Sequence, residues 1–430
     1  MERRMAELAI RGGSPVRTAS YPSWPTSGAE ERAQLERVLT SGRWFAGMQA
    51  DDPDAAGTLF GRRFAELHGA GHGLPVANGS VAIEIALRAL GIQPGDEVIV
   101  PCYTFISTAT SVLMVGAIPV FADIDPASYC IDPADVYRKV TPRTRAILPV
   151  HLGGHMADMP ALLEIGRRRG LHVLEDCAQA IDATLSLQKA GTWGDLGTFS
   201  FQSNKTMTSG EGGLIMSNSL GLAERITALR AFGRFNTGDA VRSSALECRQ
   251  LSSNYRLSEF QSAVLLGQLD SFPAQDTRRQ ANAARLTSHI ERLPGLRHVR
   301  ALGADMKHGY YYYLIRYNPE HFKQVSPDRL CQVLNAEGVP FVPGDRRPVY
   351  RHPVFQPENV RSHLWPEAFA RYEDALARNP PRCPAAETAC DCTIMLRHQV
   401  LLAEPQDIDD IGEALSKVTR NVGDMLEEKT

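Results

Sequence analysis

One lysine, Lys205, stands alone in a run of hydroxylated, apolar and glycine residues, Thr198-Phe-Ser-Phe-Gln-Ser-Asn-Lys-Thr-Met-Thr-Ser-Gly-Glu-Gly-Gly213. An amine forms a Schiff base with a carbonyl only while it lacks its proton. Burial lowers a lysine's pKa and supplies that neutral fraction. The hydroxyls of Ser200, Ser203, Thr206, Thr208 and Ser209 are of a kind that hydrogen-bonds phosphate. Gly210, Gly212 and Gly213 let the backbone turn sharply or approach a ligand closely. The same segment also fits a surface lysine beside a glycine-rich turn.

Three other groups carry comparable alternatives. Val173-Leu174 reads as a buried strand running into Glu175-Asp176. Burying a carboxylate without a partner is costly. At a strand end it can keep a pyridinium nitrogen protonated, which makes that ring a sink for carbanion electrons, the demand that pyridoxal phosphate chemistry places on a protein. Asp176 can equally cap a helix that starts at Cys177-Ala178-Gln179-Ala180. Ala77-Asn78-Gly79-Ser80 precedes a helical stretch and offers backbone N–H groups and a hydroxyl to an anion, or serves only as an N-cap. Phe105, in Pro101-Cys-Tyr-Thr-Phe105, can stack on a planar ring or fill a core.

The elements that must position these groups alternate in type. Helical periodicity runs over Glu30 to Leu39, Ser80 to Leu90 and Met159 to Arg169. Short apolar runs lie at Glu97 to Val100, Ile118 to Ala122, Ala146 to Val150 and His172 to Leu174. This alternation predicts a mostly parallel central sheet flanked by helices, with ligands at the carboxyl ends of its strands. Residues 1–30, rich in Pro, Ser and Gly, read as an extended arm. Residues 31–275 read as a large domain. Residues 276–430 read as a smaller C-terminal α/β domain, with a polar helix from Asp276 to Leu293, a weakly alternating run from Tyr310 to Tyr317 and a last helix near Ile408 to Val418.

The bulk numbers exclude several classes. Lys and Arg total 46 against 49 Asp and Glu, a net charge of −3, which argues against a nucleic-acid binder. Eight cysteines without zinc spacing predict reduced thiols and no metal. No apolar run approaches the ~18 residues of a membrane span. Met1-Glu2-Arg3-Arg4 lacks the apolar stretch of a signal peptide, so the expected location is the cytoplasm.

In combination the motifs resemble one family. Pro-Gly-Asp-Glu-Val-Ile-Val-Pro (94–101), Glu-Asp-Cys-Ala-Gln-Ala (175–180), Ser-Gly-Glu-Gly-Gly (209–213) and Ser-Asn-Tyr-Arg-Leu-Ser-Glu-Phe-Gln (253–261) resemble the DegT/DnrJ/EryC1/StrS family of pyridoxal-phosphate-dependent sugar and cyclitol aminotransferases, from about Pro25 to about Leu402. The resemblance implies the type I fold of such transferases and pyridoxal 5′-phosphate as cofactor. It implies Lys205 as the Schiff-base and proton-moving residue, Asp176 at the pyridine nitrogen, Gln179 near the phenolic oxygen and Phe105 stacked on the ring. Gly79, Ser80, the backbone at Val81, and Ser200 would cradle the phosphate. Asn254 would reach the phosphate of a neighbouring subunit, in a homodimer with shared active sites. The expected reaction moves an amine from an amino acid, L-glutamine foremost, to a keto-cyclitol, another cyclic ketone or a keto-sugar. A 3-amino-5-hydroxybenzoate synthase-like aromatising reaction, a nucleotide-sugar aminotransferase and a non-catalytic cofactor-binding regulator are the alternatives.

Two departures stand out. Ser80 replaces a commoner Thr and keeps the hydroxyl. Asp182 stands where Gly is frequent, so its carboxylate would enter the pocket or, as favoured here, face solvent. His151 and His155 can contact substrate or be structural, and Tyr310 to Tyr313 can line the pocket or, as favoured here, form a strand; the arm at residues 1–30, Arg347 to His352 and the segment Gly233 to Cys248 are further candidates for the substrate side.

Overall fold

A computed structural model describes residues 7–45, 53–235, 247–299 and 305–425. In chain order its principal elements begin with α1 (Ala29–Ser41), α2 (Ala56–His68), β1 (His72–Val76), α3 (Gly79–Ala89), β2 (Glu97–Pro101), α4 (Ser107–Met114), β3 (Ile118–Ala122), α5 (Pro133–Lys139), β4 (Thr144–Ile147), α6 (Met159–Arg169), β5 (His172–Asp176), β6 (Leu196–Ser200), β7 (Gly213–Ser217), α7 (Leu220–Leu229) and α8 (Glu259–Ile290). The seven strands form one sheet in the order β1-β7-β6-β5-β4-β2-β3. β2 pairs parallel with β3 and β4, and β5 pairs parallel with β4 and β6. β7 runs antiparallel to both its neighbours. Every residue of β2, β3, β6 and β7 is buried. Strands covered on both faces are mostly apolar, which is why β2 and β3 read as continuous runs. Of the buried polar exceptions, Glu97, Ser200 and Ser217 stand at strand ends and Thr198 lies mid-strand.

The remaining chain builds an antiparallel sheet from β8 (Leu296–His298), β9 (Tyr312–Tyr317), β10 (Val342–Pro343) and β11 (Thr393–Arg397), ordered β8-β9-β11-β10. Two hydrophobic clusters result. Helix α8 joins them: Leu265, Leu266, Leu269 and Phe272 lie in the first, Ala283, Leu286 and Ile290 in the second. This helix departs from the sequence pattern, which starts it at Asp276. It begins at Glu259, where Ser258 and Gln261 form a capping box, and continues through Pro273. A proline inside a helix costs about 3 kcal/mol. Burial of both halves of α8 in separate cores offsets that cost.

The N-terminal arm is irregular, with one 3-10 turn at Ala9–Arg11, but it is pinned at several points. Leu8 is fully buried in the second cluster. The Glu337 carboxylate accepts from the Ala9 N–H at 2.8 Å, the Val16 N–H at 3.2 Å and Lys417 Nζ at 2.8 Å. Both side chains of that ion pair are almost wholly buried. Removing one partner of a buried pair leaves an uncompensated charge, typically at about 3–5 kcal/mol. Glu337→Ala should therefore destabilise the protein by about that amount and open residues 8–17 to protease. An unchanged urea midpoint together with an intact arm would contradict this anchoring.

Candidate active site

The carboxyl ends of β1, β2, β5 and β6 lie on one edge of the sheet: parallel pairings align β2, β5 and β6, and β1 joins them because β7 runs antiparallel to both β6 and β1. A cavity of about 660 Å³ opens there. Its wall contains Gly79, Ser80, Val81, Phe105, Asp176, Gln179, Ser200 and Lys205, eight of the nine residues singled out from the sequence. Asn254 is the exception: it is exposed, lies outside this cavity, and its Oδ1 accepts from the Arg256 N–H.

Local alternation explains how β6 contributes. Phe199 and Phe201 pack against Phe64 and Phe60 with ring centroids 4.9 and 5.2 Å apart. Ser200, between them, points to the opposite face and into the cavity. Helix α3 starts beside it. Asn78 caps the helix by accepting the Val81 N–H at 2.9 Å. The Val81 amide thus donates to the cap, and the first-turn amides of Gly79 and Ser80 remain, as helix geometry requires. A Cβ on Gly79 would stand 2.7 Å from Ser200 Cβ, so only glycine permits this close approach of helix and strand.

Asp176 ends β5 and is 4% exposed. Its oxygens accept from Thr108 Oγ1 at 2.9 Å and from the Ala178 N–H at 3.1 Å. No helix follows; residues 178–182 form turns, so the capping alternative reduces to a single local bond. Burial pushes the Asp176 carboxyl above the usual range, against those two bonds and the charge of Lys205. Burial pushes Lys205 the other way, to about 8, while Asp176 pulls it up. Nζ of Lys205 stands 4.2 Å over the ring of Tyr311. Gln179 Oε1 accepts from the Gly153 N–H at 2.6 Å, which leaves its NH₂ as the free end. Phe105 is 64% exposed at the cavity and takes no part in the core.

Several substrate-side candidates belong elsewhere. His151 is fully buried and its Nε2 meets Glu175 at 2.9 Å. Glu175 also accepts from the amides of Gly191, Trp193 and Gly194. His155 is buried against His308 at 2.8 Å. Tyr350 and Arg351 bind Glu387 rather than facing the cavity. Residues 236–246 of the Gly233 to Cys248 segment fall outside the described residues. Asp182 enters neither pocket nor solvent: it pairs with Lys189 at 2.5 Å and with Lys307. Its φ of 58° is a left-handed conformation suited to Gly and tolerated by Asp.

From the Tyr310 to Tyr313 run, Tyr311 and Tyr312 line the cavity, and Tyr312 is also the first residue of strand β9, while other wall residues emerge only from the fold. His398 Nε2 donates to the Asn204 carbonyl, next to Lys205, at 3.1 Å, and Trp24 of the arm packs edge-on against it at 4.7 Å. Asp345 completes the wall. No contiguous motif links these residues to Lys205.

The donor set is specific. A helix N-terminus with two hydroxyls suits a phosphate, and a buried carboxylate suits a protonated ring nitrogen. An exposed aromatic face suits a planar ring, and a lysine of lowered pKa suits an aldehyde. Pyridoxal phosphate carries all four groups, so the residues fit it.

Comparison with known proteins agrees. Residues 25–416 match the model of the DegT/DnrJ/EryC1/StrS aminotransferase family. The L-glutamine:scyllo-inosose aminotransferase of Streptomyces griseus is 37% identical, covering 97% of this chain and 98% of that protein. The L-glutamine:2-deoxy-scyllo-inosose aminotransferase of Micromonospora echinospora is 36% identical, over 97% and 99%. The crystal structure of 3-amino-5-hydroxybenzoic acid synthase superposes with a TM-score of 0.80 at 31% identity, over 94% and 100%. Among the described residues, no helix is long and apolar enough to cross a membrane.

The opposed shifts are measurable on the cofactor-free protein. Labelling of Lys205 by an amine-selective reagent, followed by mass spectrometry, should reach half its limiting rate near pH 8. An ordinary lysine does so near about 10.4. In Asp176→Asn the midpoint should fall further, since the charge that raises it is gone. A midpoint that rises in this variant would show the coupling has the opposite sign.

Proposed function

Because the chain belongs to the DegT/DnrJ/EryC1/StrS aminotransferase family, we propose that it moves the α-amino group of L-glutamine onto the ketone of a cyclic polyol, using pyridoxal phosphate. The observation that carries the reading is Lys205 and Asp176 sharing one cavity with Gly79, Ser80 and Ser200 at its edge. The names of the relatives supply the donor and the class of acceptor.

In this reading Ser80, Ser200 and the Gly79 and Ser80 amides hold the phosphate. Asp176 keeps a proton on the ring nitrogen, braced by Thr108 and the Ala178 amide. The free NH₂ of Gln179 donates to the phenolic oxygen, Phe105 covers the ring, and Lys205 holds the carbonyl carbon. When bound, the cofactor supplies a carbonyl for the donor's nitrogen and a ring that takes up the electron pair of a broken C–H bond. Lys205 Nζ, with a pKa of about 8, is neutral often enough near neutral pH to take a proton from the substrate carbon and return it. The Tyr311 ring beneath Nζ steadies its charged form between these transfers. Asn254, exposed and clear of its own cavity, is suited to serve that of a second copy in a homodimer.

The likeness to 3-amino-5-hydroxybenzoic acid synthase supports a second reading, in which Lys205 removes a proton from a hydroxylated ring that then expels water and aromatises without receiving nitrogen. Glutamine carrying ¹⁵N at its α-amino group separates the two. Amine transfer places the label in a cyclitol amine, and Lys205→Ala should lower turnover by about 10⁴-fold, the upper range for one proton-transfer group. An unlabelled aromatic product would favour the second reading. Turnover that survives Lys205→Ala would overturn both.

A further inference from the structure

Two loops beside the cavity are joined by a pair of buried histidines that the reaction described above does not use. The first loop is the 3-10 turn Leu152–Gly154, which ends at His155. Its Gly153 N–H is the donor that holds Gln179 Oε1 at 2.6 Å. The second loop runs through His308 and Gly309 to Tyr311, whose ring lies under Lys205 Nζ. The Gly309 N–H donates to the Gly154 carbonyl at 2.9 Å. A Cβ on Gly154 would stand 2.5 Å from the Tyr310 nitrogen, so only glycine allows the loops this close. Beside the contact Tyr310 has a φ of 45°, a left-handed conformation that is costly for a bulky residue. A residue stays in such a conformation only where its surroundings over-determine it.

The hydrogen bonds admit one arrangement of protons. The Tyr310 N–H donates to His308 Nδ1 at 2.7 Å, so that nitrogen is bare. An imidazole keeps at least one proton, which at His308 must sit on Nε2. His308 Nε2 stands 2.8 Å from His155 Nδ1 and donates to it. His155 Nδ1 is therefore bare as well, and its own proton sits on Nε2. A second proton on His308 would release the Tyr310 amide, and one on His155 would part the two rings. Burial favours the same neutral state. It lowers His155 to about 4, against the carbonyls of Val299 and Leu152. It lowers His308 well below the usual range, with the charges of His155 and His298 adding to the effect. The His308 carbonyl is fixed too, accepting from Gln280 Nε2 of α8 at 2.7 Å.

We propose that His155 and His308 are positioning residues, a hydrogen-bonded latch that holds Tyr311 under Lys205 and Gly153 against Gln179. The latch passes no proton to substrate. It keeps in place the wall that buries Lys205, and burial is what lowers that amine's pKa. Only the roles of Lys205 and Gln179 toward a cofactor rest on the aminotransferase reading above.

Two measurements on the full chain test this. Magnetic resonance of the protein labelled with ¹⁵N-histidine reports which ring nitrogens carry protons, and His155→Asn and His308→Asn assign the signals. Near neutral pH both rings should show a protonated Nε2 and a bare Nδ1. A proton on Nδ1 of either ring overturns the proposal. The second measurement is the pH midpoint of Lys205 labelling in the cofactor-free protein. His155→Leu fills nearly the same space but accepts no hydrogen bond, so the midpoint should rise from about 8 by about one unit, toward that of an ordinary lysine. His155→Asn is smaller but puts an acceptor where Nδ1 stood, and it should hold the midpoint near the wild-type value. A ring that merely filled space would give the reverse order. That reversal overturns the proposal, as does an equal shift in both variants or a shift in neither. Neither measurement involves amine transfer. If both outcomes are as expected but no label passes from glutamine to any ketone, the transfer reading alone fails.

Discussion

An amine and a carboxylate facing one another away from water are pulled in two directions. Burial drives each toward its neutral form, while their attraction favours the charged ones. At Lys205 and Asp176 burial prevails for both: the lysine falls to about 8 and the aspartate rises. The rest of the site preserves this balance. Thr108 and the Ala178 amide hold Asp176 back from full protonation, and they can do so only because β5 ends beside the start of α4. The parallel pairing of β5 with β6 brings the segment after Ser200 next to Asp176. The phenylalanines on either side of Ser200 seal that edge from below.

The antiparallel sheet finishes what the central sheet begins. Leu314 and Met395 on its strands, with Tyr311 and Asp345 beside them, close the cavity from its side, and His398 braces the carbonyl next to Lys205. The arm contributes through Trp24, packed on His398, while Glu337 and Lys417 fasten its beginning. Residues distant in the chain thus converge on one loop. α8 makes this possible by placing one half in each cluster. The proline in its middle is tolerated because neither half could leave its core cheaply.

Much of the sheet was legible because doubly covered strands read as unbroken apolar runs, and the α6 boundaries, Met159 and Arg169, follow directly from periodicity. Lys205, Asp176, Gln179, Ser200, Gly79 and Phe105 meet because each follows a strand end, the one place where a parallel sheet gathers ligands. Other features left weaker traces. The start of α8 was hidden by Pro273, whose local preference tertiary packing overrides. The bond from the Val81 amide to Asn78 leaves no trace of its own, because a helix N-terminus looks alike in sequence whether its donors face a ligand or a capping side chain. Asp345 and His398 carry no motif, and Tyr311 is marked only as part of the Tyr310 to Tyr313 run, since their relation to Lys205 exists only once the two sheets are assembled.

Asp176, Glu211 and Asp345 all contribute to the cavity wall. Burial raises the carboxyl pKa of Asp176 and of Asp345, and the charge of Lys205 offsets part of that rise at Asp176. A further acid, Asp182, follows closely after Gln179 and would have disturbed Asp176 had it turned inward. Its left-handed backbone and its two lysine partners keep it out. The charge of Asp182 is thus neutralised by lysines outside the wall, and Asp176 remains the carboxylate coupled to Lys205.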